Sequence, residues 1–263
     1  MKSLIAVNNK FMTISPKELI EKIKKTKHVE GVEAYFDYEN DHEMFYLNEL
    51  IDELKENNLI LQIHVNINLP YDVQLQYFKH IEKYSEYLGY PINVTIHSIY
   101  NEDKKISKEE TLKYIGDLVL NTDPNKIIIC LENLNDSEGM DRLELEAIED
   151  IVVNDENLYL TYDIGHVLAD WADPTDISSY MKEEMRNVHI HTKNYIDDHR
   201  PIYEGDMYMN MIIKSILFLI NINYKYNIVY EYDIYYCKGD TLEERLDDYL
   251  SSIDYVSDKY QGV

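Results

Sequence analysis

Six of the nine histidines, His64, His97, His166, His189, His191 and His199, stand at or just beyond the ends of short apolar runs. Carboxylates close three neighbouring runs, with Glu132 in ICLENLN, Asp163 in LTYDIGH and Glu231 in IVYEYD, while Asp197 precedes His199 in DDHRP. Strands buried on both faces ordinarily stop in turn residues, so imidazoles and carboxylates at those positions are there for chemistry. Glu132, Asp163, His191 and Glu231 together offer three carboxylates and one imidazole. This oxygen-rich set suits a divalent cation such as Mn²⁺, Mg²⁺, Co²⁺ or Zn²⁺. With no cation between them, three carboxylates in one mouth would repel and their pKa values would rise. A divalent metal is therefore the expected cofactor.

Residues so far apart in sequence need a scaffold that brings strand ends to one rim. Strand-like and helix-like segments alternate eight times, the count for a closed (β/α)8 TIM barrel. SLIAVN precedes a helix opened by Ser15-Pro16-Lys17-Glu18, a capping box with proline at the first helical position. GVEAYF precedes DHEMFYLNELIDELKEN, where Leu47, Leu50, Ile51 and Leu54 recur at helical spacing. LILQIHVNI precedes a helix beginning after Pro70, and INVTIHS precedes one capped by Ser107 with Glu110 three residues on. KIIICLENL precedes DRLELEAIEDIVVN, and LYLTYDIGH precedes DPTDISSYMKEEM. NVHIHTK leads through a loop to MYMNMIIKSILFLI, and NIVYEYDIYY to TLEERLDDYLSSIDYV. Each polar cluster falls at the C-terminal end of its run, the rim that carries the active site in such barrels. No composition shift marks a second domain, so residues 1–263 are expected to form one barrel.

Fifty acidic against 25 basic residues give a formal charge of −25 and a pI near 4.6. That surface repels polyanions, which argues against nucleic acid and anionic membrane and for a small-molecule substrate. The excess has an ordinary home on solvated helix faces such as IDELKEN and TLEERLDD. Two cysteines, Cys130 and Cys237, are too few for a disulfide framework and are expected to be reduced, with Cys130 serving packing. The start MKSLIAVNNK holds a four-residue apolar run where a signal peptide needs about seven, and no stretch approaches a membrane span. A cytoplasmic protein is expected, and a homo-oligomer is compatible with the chain.

The ordered motifs LEN at 131–133, D-x-G-H at 163–166, H-x-H at 189–191 and D-x-H followed by P-I-Y-E-G at 197–205 resemble those of the xylose isomerase-like barrel superfamily. That superfamily includes sugar phosphate isomerases and epimerases as well as endonuclease IV. The resemblance to the sugar enzymes implies metal ligation by Glu132, Asp163, His191 and Glu231, with His166 contacting substrate. It also implies Glu132 and Glu231 as the acid/base pair, moving a proton on the carbon beside a carbonyl through an enediolate. Resemblance to endonuclease IV implies a fuller ligand set, with His64, His97, His166, Asp197 and His199 as possible additional metal ligands around three zinc ions. His97, Lys193 and Arg200 are further substrate-binding candidates, and for the two cations an ordinary loop charge is an equal reading.

Against a DNA enzyme stand Asp37, Glu39, Asp41 and Glu43 after the second strand, where a phosphate backbone would need basic groups. A lyase-type or non-catalytic relative is a third reading, because one fold hosts many chemistries. His189 is the weakest site candidate, expected as an inner-face structural partner of His191. His28, His42 and His80 are expected on helical surfaces, and Tyr35, Tyr162 and Tyr203 are candidates to line the mouth.

Overall fold

A computed structural model describes residues 1–65, 69–97, 108–134, 148, 151–152, 157–169, 172–192 and 199–261. Eight parallel strands close in sequence order into a barrel, β8 pairing back onto β1. They are β1 Lys2–Asn8, β2 Val29–Tyr35, β3 Ile60–Val65, β4 Ile92–Ile96, β5 Ile127–Glu132, β6 Leu158–Asp163, β7 Met185–Ile190 and β8 Asn227–Tyr230. The expected TIM barrel is the observed fold.

The helices that cover it follow local signals. Ser15 accepts the Glu18 amide at the head of α1, Pro16–Ile23. Asn40 accepts the amides of His42 and Glu43 before α2, Asp41–Glu56. Helix α3, Tyr71–Leu88, begins after Pro70 and ends at Gly89, whose φ of 85° is the left-handed turn that glycine reaches without a Cβ clash. Then come α4 Lys108–Leu120, α5 Ile164–Ala169, α6 Ser179–Glu184, α7 Met209–Asn221 and α8 Leu242–Gln261. The Ser107 cap and most of the helix expected in DRLELEAIEDIVVN lie outside the described residues.

Two elements differ from the sequence reading. Helix α5 starts directly after Asp163, so the D-x-G-H motif is a strand end running into a helical turn. The helix expected over DPTDISSYMKEEM shrinks to α6, because Asp173 caps its own turn through Thr175 and Ser178 provides the N-cap that opens the helix only at 179.

Alternation along the strands sends one set of side chains outward under the helices and the other into the barrel. The outer set is apolar, with Leu61, Ile63, Val94, Ile129 and Val188 fully buried. The inner set is largely polar. Glu33, Gln62, Thr95, Thr161, Asn187 and His189 are each at most 1 % exposed. Across the lumen Thr95 Oγ1 meets Thr161 Oγ1 at 3.0 Å, and Asn187 Nδ2 donates to Glu33 Oε2 at 2.9 Å.

At the closing seam the Tyr249 hydroxyl of α8 accepts from the amides of Ala6 at 3.2 Å and Tyr232 at 3.1 Å and donates to the Tyr230 carbonyl. The acidic excess is largely where expected: Asp41, Glu49, Asp52 and Glu56 of α2 are exposed. On α2 Glu43 is buried instead, accepting from Asn9, Asn40 and the Asp37 amide. No helix among the described residues is long and apolar enough to cross a membrane.

Candidate functional site

The C-terminal rim holds a cavity of about 270 Å³, lined by Asn8 at the end of β1 and Lys10 after it, Tyr35 from β2, His64 from β3, His97 after β4, Glu132 from β5, His166 from α5, His199, and Glu231, Tyr232 and Asp233 after β8. Asp163, His189 and His191 lie beneath it, each at 0 % exposure.

Glu132 is the hub. Its Oε1 stands 2.6 Å from His189 Nδ1, and its Oε2 is 3.1 Å from His64 Nε2 and 2.8 Å from His97 Nε2. Burial alone would push this carboxyl upward, but His189, His64 and His97 outweigh it and hold Glu132 well below the usual carboxylate range. Glu231 behaves likewise: burial is overcome by His189 and His199, and the carboxyl is held low. Asp163 is held low by His166 and His191 against its burial. His189 carries the converse shift, its desolvation outweighed by Glu33, Glu132 and Glu231, so its pKa is raised well above 6.5.

One donor atom each from Glu132, Asp163, His189 and Glu231 lie within 4.8 Å of one another. A second such group is His166, His191 and His199, and a third is His64, Glu132 and His189. The histidine nearest the three carboxylates is thus His189, where the sequence pattern pointed to His191. Both face inward by the two-residue period, and His189 lies one layer deeper. His191 joins the group through Asp163, Nε2 to Oδ2 at 3.2 Å. Nor is His189 a partner of His191, since its other nitrogen, Nε2, lies 2.9 Å from Glu33 Oε1 and 3.0 Å from Asn187 Nδ2. Glu231 Oε2 comes within 3.0 Å of His189 Nδ1 yet makes no well-directed hydrogen bond. The repulsion and raised pKa values expected of three carboxylates without a cation are not found, because imidazoles on both flanks hold all three low; the oxygens and imidazoles so gathered, one carboxylate oxygen short of a donor, are still of the types a divalent cation takes.

The motif glycine has a steric reason. A Cβ on Gly165 would lie 2.3 Å from His191 Cε1, so only glycine lets α5 pass over that ring. His199 adopts φ 53°, a left-handed conformation uncommon outside glycine, and its Nδ1 reaches the Glu231 carbonyl at 3.2 Å.

Other candidates go elsewhere. Arg200 does not line the cavity, and its guanidinium stands 5.1 Å from the Tyr236 ring centroid. Lys193 and Asp197 lie outside the described residues. Of the tyrosines, Tyr35 lines the mouth and meets His64 edge-on at 5.2 Å. Tyr162 does not, because it neighbours inward-facing Asp163 and so points out, its hydroxyl donating to the Pro174 carbonyl at 3.0 Å. Tyr203 is drawn away by Asp248 at 2.5 Å. His28 precedes β2 rather than lying on a helix, and pairs with Asp258 at 3.1 Å. His42 is exposed on α2, whereas His80 is half-buried against Tyr84 and Tyr38. Cys130 and Cys237 are free, buried thiols pushed up to about 12.

Glu33 and Lys10 were not singled out from the sequence. A carboxylate in the middle of the apolar run GVEAYF was the available signal for Glu33. Lys10, 2.5 Å from Asp233 Oδ2, carried none.

No curated protein sequence matches the chain. Among solved structures, a D-tagatose 3-epimerase-like protein superposes with a TM-score of 0.68 at 21 % identity, over 100 % of this chain and 99 % of that one. A D-psicose 3-epimerase from Clostridium cellulolyticum H10 gives 0.68 at 16 % identity over 99 % of both chains. A 3-keto-D-glucoside 4-epimerase from E. coli gives 0.69 at 16 % over 98 % of this chain and 100 % of that one. Likeness at these identities speaks to the fold. The sequence pattern of the xylose isomerase-like TIM barrel matches residues 20–256, nearly the whole length, and the chain belongs to that family.

Proposed function

We propose that this barrel is a divalent-metal-dependent isomerase or epimerase of a small sugar, with Glu132 and Glu231 as its acid/base pair. The observation that carries the reading is the entry of these two glutamates into one cavity from β5 and β8, both held ionised, with His189 Nδ1 2.6 Å from one and 3.0 Å from the other. The sugar epimerases among the structural neighbours support the substrate class. A cation held by Glu132, Asp163 and Glu231 with His189 or His191 would polarise a substrate carbonyl and the adjacent hydroxyl as a Lewis acid.

The chain's own groups divide the remaining work. Side-chain exposure is 21 % for Glu231 and 1 % for Glu132, so Glu231 is the more accessible base for a carbon-bound proton. Glu132 first takes a proton from one of the three imidazoles that fix it and returns it from the other side, which inverts the carbon, while Glu231 releases its own proton to solvent at the rim. Return by the same glutamate after shuttling between neighbouring carbons would instead isomerise. His64, His97 and His166 are placed for substrate hydroxyls, and Tyr35 walls the cavity. Its volume of about 270 Å³ sits at the low end for ligand pockets, as a monosaccharide requires. The lining's one lysine or arginine among the described residues, Lys10, is already paired with Asp233, which favours a free sugar over a sugar phosphate.

Glu132→Gln and Glu231→Gln should each lower turnover at least about 10²-fold while circular dichroism stays unchanged. With ketohexoses in D₂O, the wild type should place deuterium on the carbon beside the carbonyl. Wild-type rates in either variant would remove that glutamate from the mechanism.

The second reading, a trinuclear-zinc phosphodiesterase of the endonuclease IV type acting on abasic DNA, draws on the three groups of potential ligands around His64, Glu132 and His199. Exposed Asp37, Glu39 and Asp41 at the rim and the charge of −25 weigh against it. Elemental analysis of protein purified without chelator separates the two. About one metal per chain and intact abasic duplex at low salt are expected, whereas three tightly held zincs with strand cleavage would reverse the choice.

A further inference from the structure

The opposite, N-terminal mouth of the barrel opens into a second cavity of about 730 Å³, within the range of small-molecule sites. In a chain of charge −25 its lining contains no carboxylate and three lysines, Lys2, Lys55 and Lys225. Lys55 is held in place, its ammonium donating to the Tyr87 carbonyl at 2.7 Å and standing 3.4 Å from that ring's centroid. Neither Lys2 nor Lys225 has a carboxylate within 4 Å among the described residues.

Between the lysines the floor is made of amides: Gln62, Asn93 and Asn227. Gln62 is 1 % exposed, and neither its Nε2 nor its Oε1 has a hydrogen-bond partner. A buried amide with both ends unmet costs more than an apolar residue of the same shape. It is suited to a guest that both donates and accepts, as a hydroxyl does.

We propose that this mouth is a binding site for a phosphate monoester of a small polyol, the phosphate on the lysine rim and the hydroxyls on the amide floor. It lies at the end of the barrel remote from Glu132 and Glu231, so it is a binding site separate from the reaction, and it stands whether or not the sugar-isomerase reading holds. The ammonium groups supply charge-assisted hydrogen bonds that amides alone lack. The amides distinguish a polyol phosphate from bare phosphate.

Isothermal titration of the full chain with glycerol 3-phosphate, which has no carbonyl to isomerise, tests the proposal, with inorganic phosphate and glycerol as separate arms. One saturable site per chain is expected, with glycerol 3-phosphate bound more tightly than phosphate and glycerol not bound. The double variant Lys2→Gln/Lys225→Gln and the variant Gln62→Leu should each weaken binding about tenfold or more, and Glu231→Gln should leave it unchanged. Should Gln62→Leu fail to fold, the surface double variant decides alone. Absence of saturable binding overturns the site. So does loss of binding in Glu231→Gln with retention in the lysine variant, or equal affinity for phosphate and glycerol 3-phosphate, which means an adventitious ion only.

Discussion

The side chain with the most consequential surroundings is His189, which looked the least promising in the sequence. Its neighbour two places on drew the attention, yet both face the lumen, and depth decides which one meets Glu33, Glu132 and Glu231. The electrostatics have a testable sign in protein stripped of metal. His189 is raised well above 6.5, so its contribution to stability is complete below pH 6.5 and lost as pH climbs through the folded value. Glu132 is held well below 4.5, so its contribution is complete above pH 4.5 and lost as pH falls through the folded value. Chelated protein should therefore melt highest between about pH 4.5 and 6.5. Removing the carboxylate opposite, Glu33→Gln, should cost about 3–5 kcal/mol and flatten the alkaline limb. A melting temperature that climbs steadily from pH 6.5 to 9 in chelated protein would contradict this. Gly165 makes a second prediction at this scale. Gly165→Ala must displace the His191 ring, lowering metal affinity by about 10–100-fold, as read by competition with a chromogenic chelator. Unchanged affinity would detach His191 from the metal.

Among the elements, α8 does more than shield β8. Tyr249 reaches the closing seam and bonds Ala6, Tyr230 and Tyr232 with one oxygen, so Tyr249→Phe strands the buried Tyr232 amide, the part-buried Ala6 amide and a carbonyl. A loss of about 2–5 kcal/mol in urea-induced unfolding is expected, with little change in metal content, and a neutral substitution would mean water replaces the hydroxyl. Strands were legible because apolar runs such as IIIC and LYL announce burial on both sides, and helices because Ser15, Pro70 and the Leu47–Leu54 spacing are local signals. The rim residues Glu132, Asp163 and Glu231 were legible for the same reason, as polar groups where strands stop. What sequence could not convey was which inward residues share a layer. That depends on barrel shear, so Glu33, Thr95 and Asn187 became a network only across the lumen. The shortened α6 shows a local turn at Asp173 overriding a longer periodic pattern.

At the scale of the molecule, the proposed metal binding and the stability of the stripped protein should respond to pH in opposite directions. Metal affinity should rise with pH as the imidazoles lose protons, while the stability lent by His189 to the stripped protein declines over the same range. EDTA should therefore inactivate the protein, and a divalent cation should restore it more effectively at pH 8 than at pH 6. Full activity after exhaustive chelation would exclude a metal role.

The polar lumen has one more consequence, for assembly of the barrel itself. Most barrels of this kind are filled by interchangeable branched aliphatics, so a strand that pairs one residue out of step loses mainly packing. Here a one-residue slip of β7 would turn His189 and Asn187 out beneath apolar helices and bring Val188 and Ile190 in against Glu33 and Glu132, leaving charges without partners on both sides. The inner carboxylates, amides and imidazoles thus serve as a key that admits a single alignment of the strands. The groups packed beneath the rim thereby select, during folding, the one alignment that brings Glu132, Asp163 and Glu231 together.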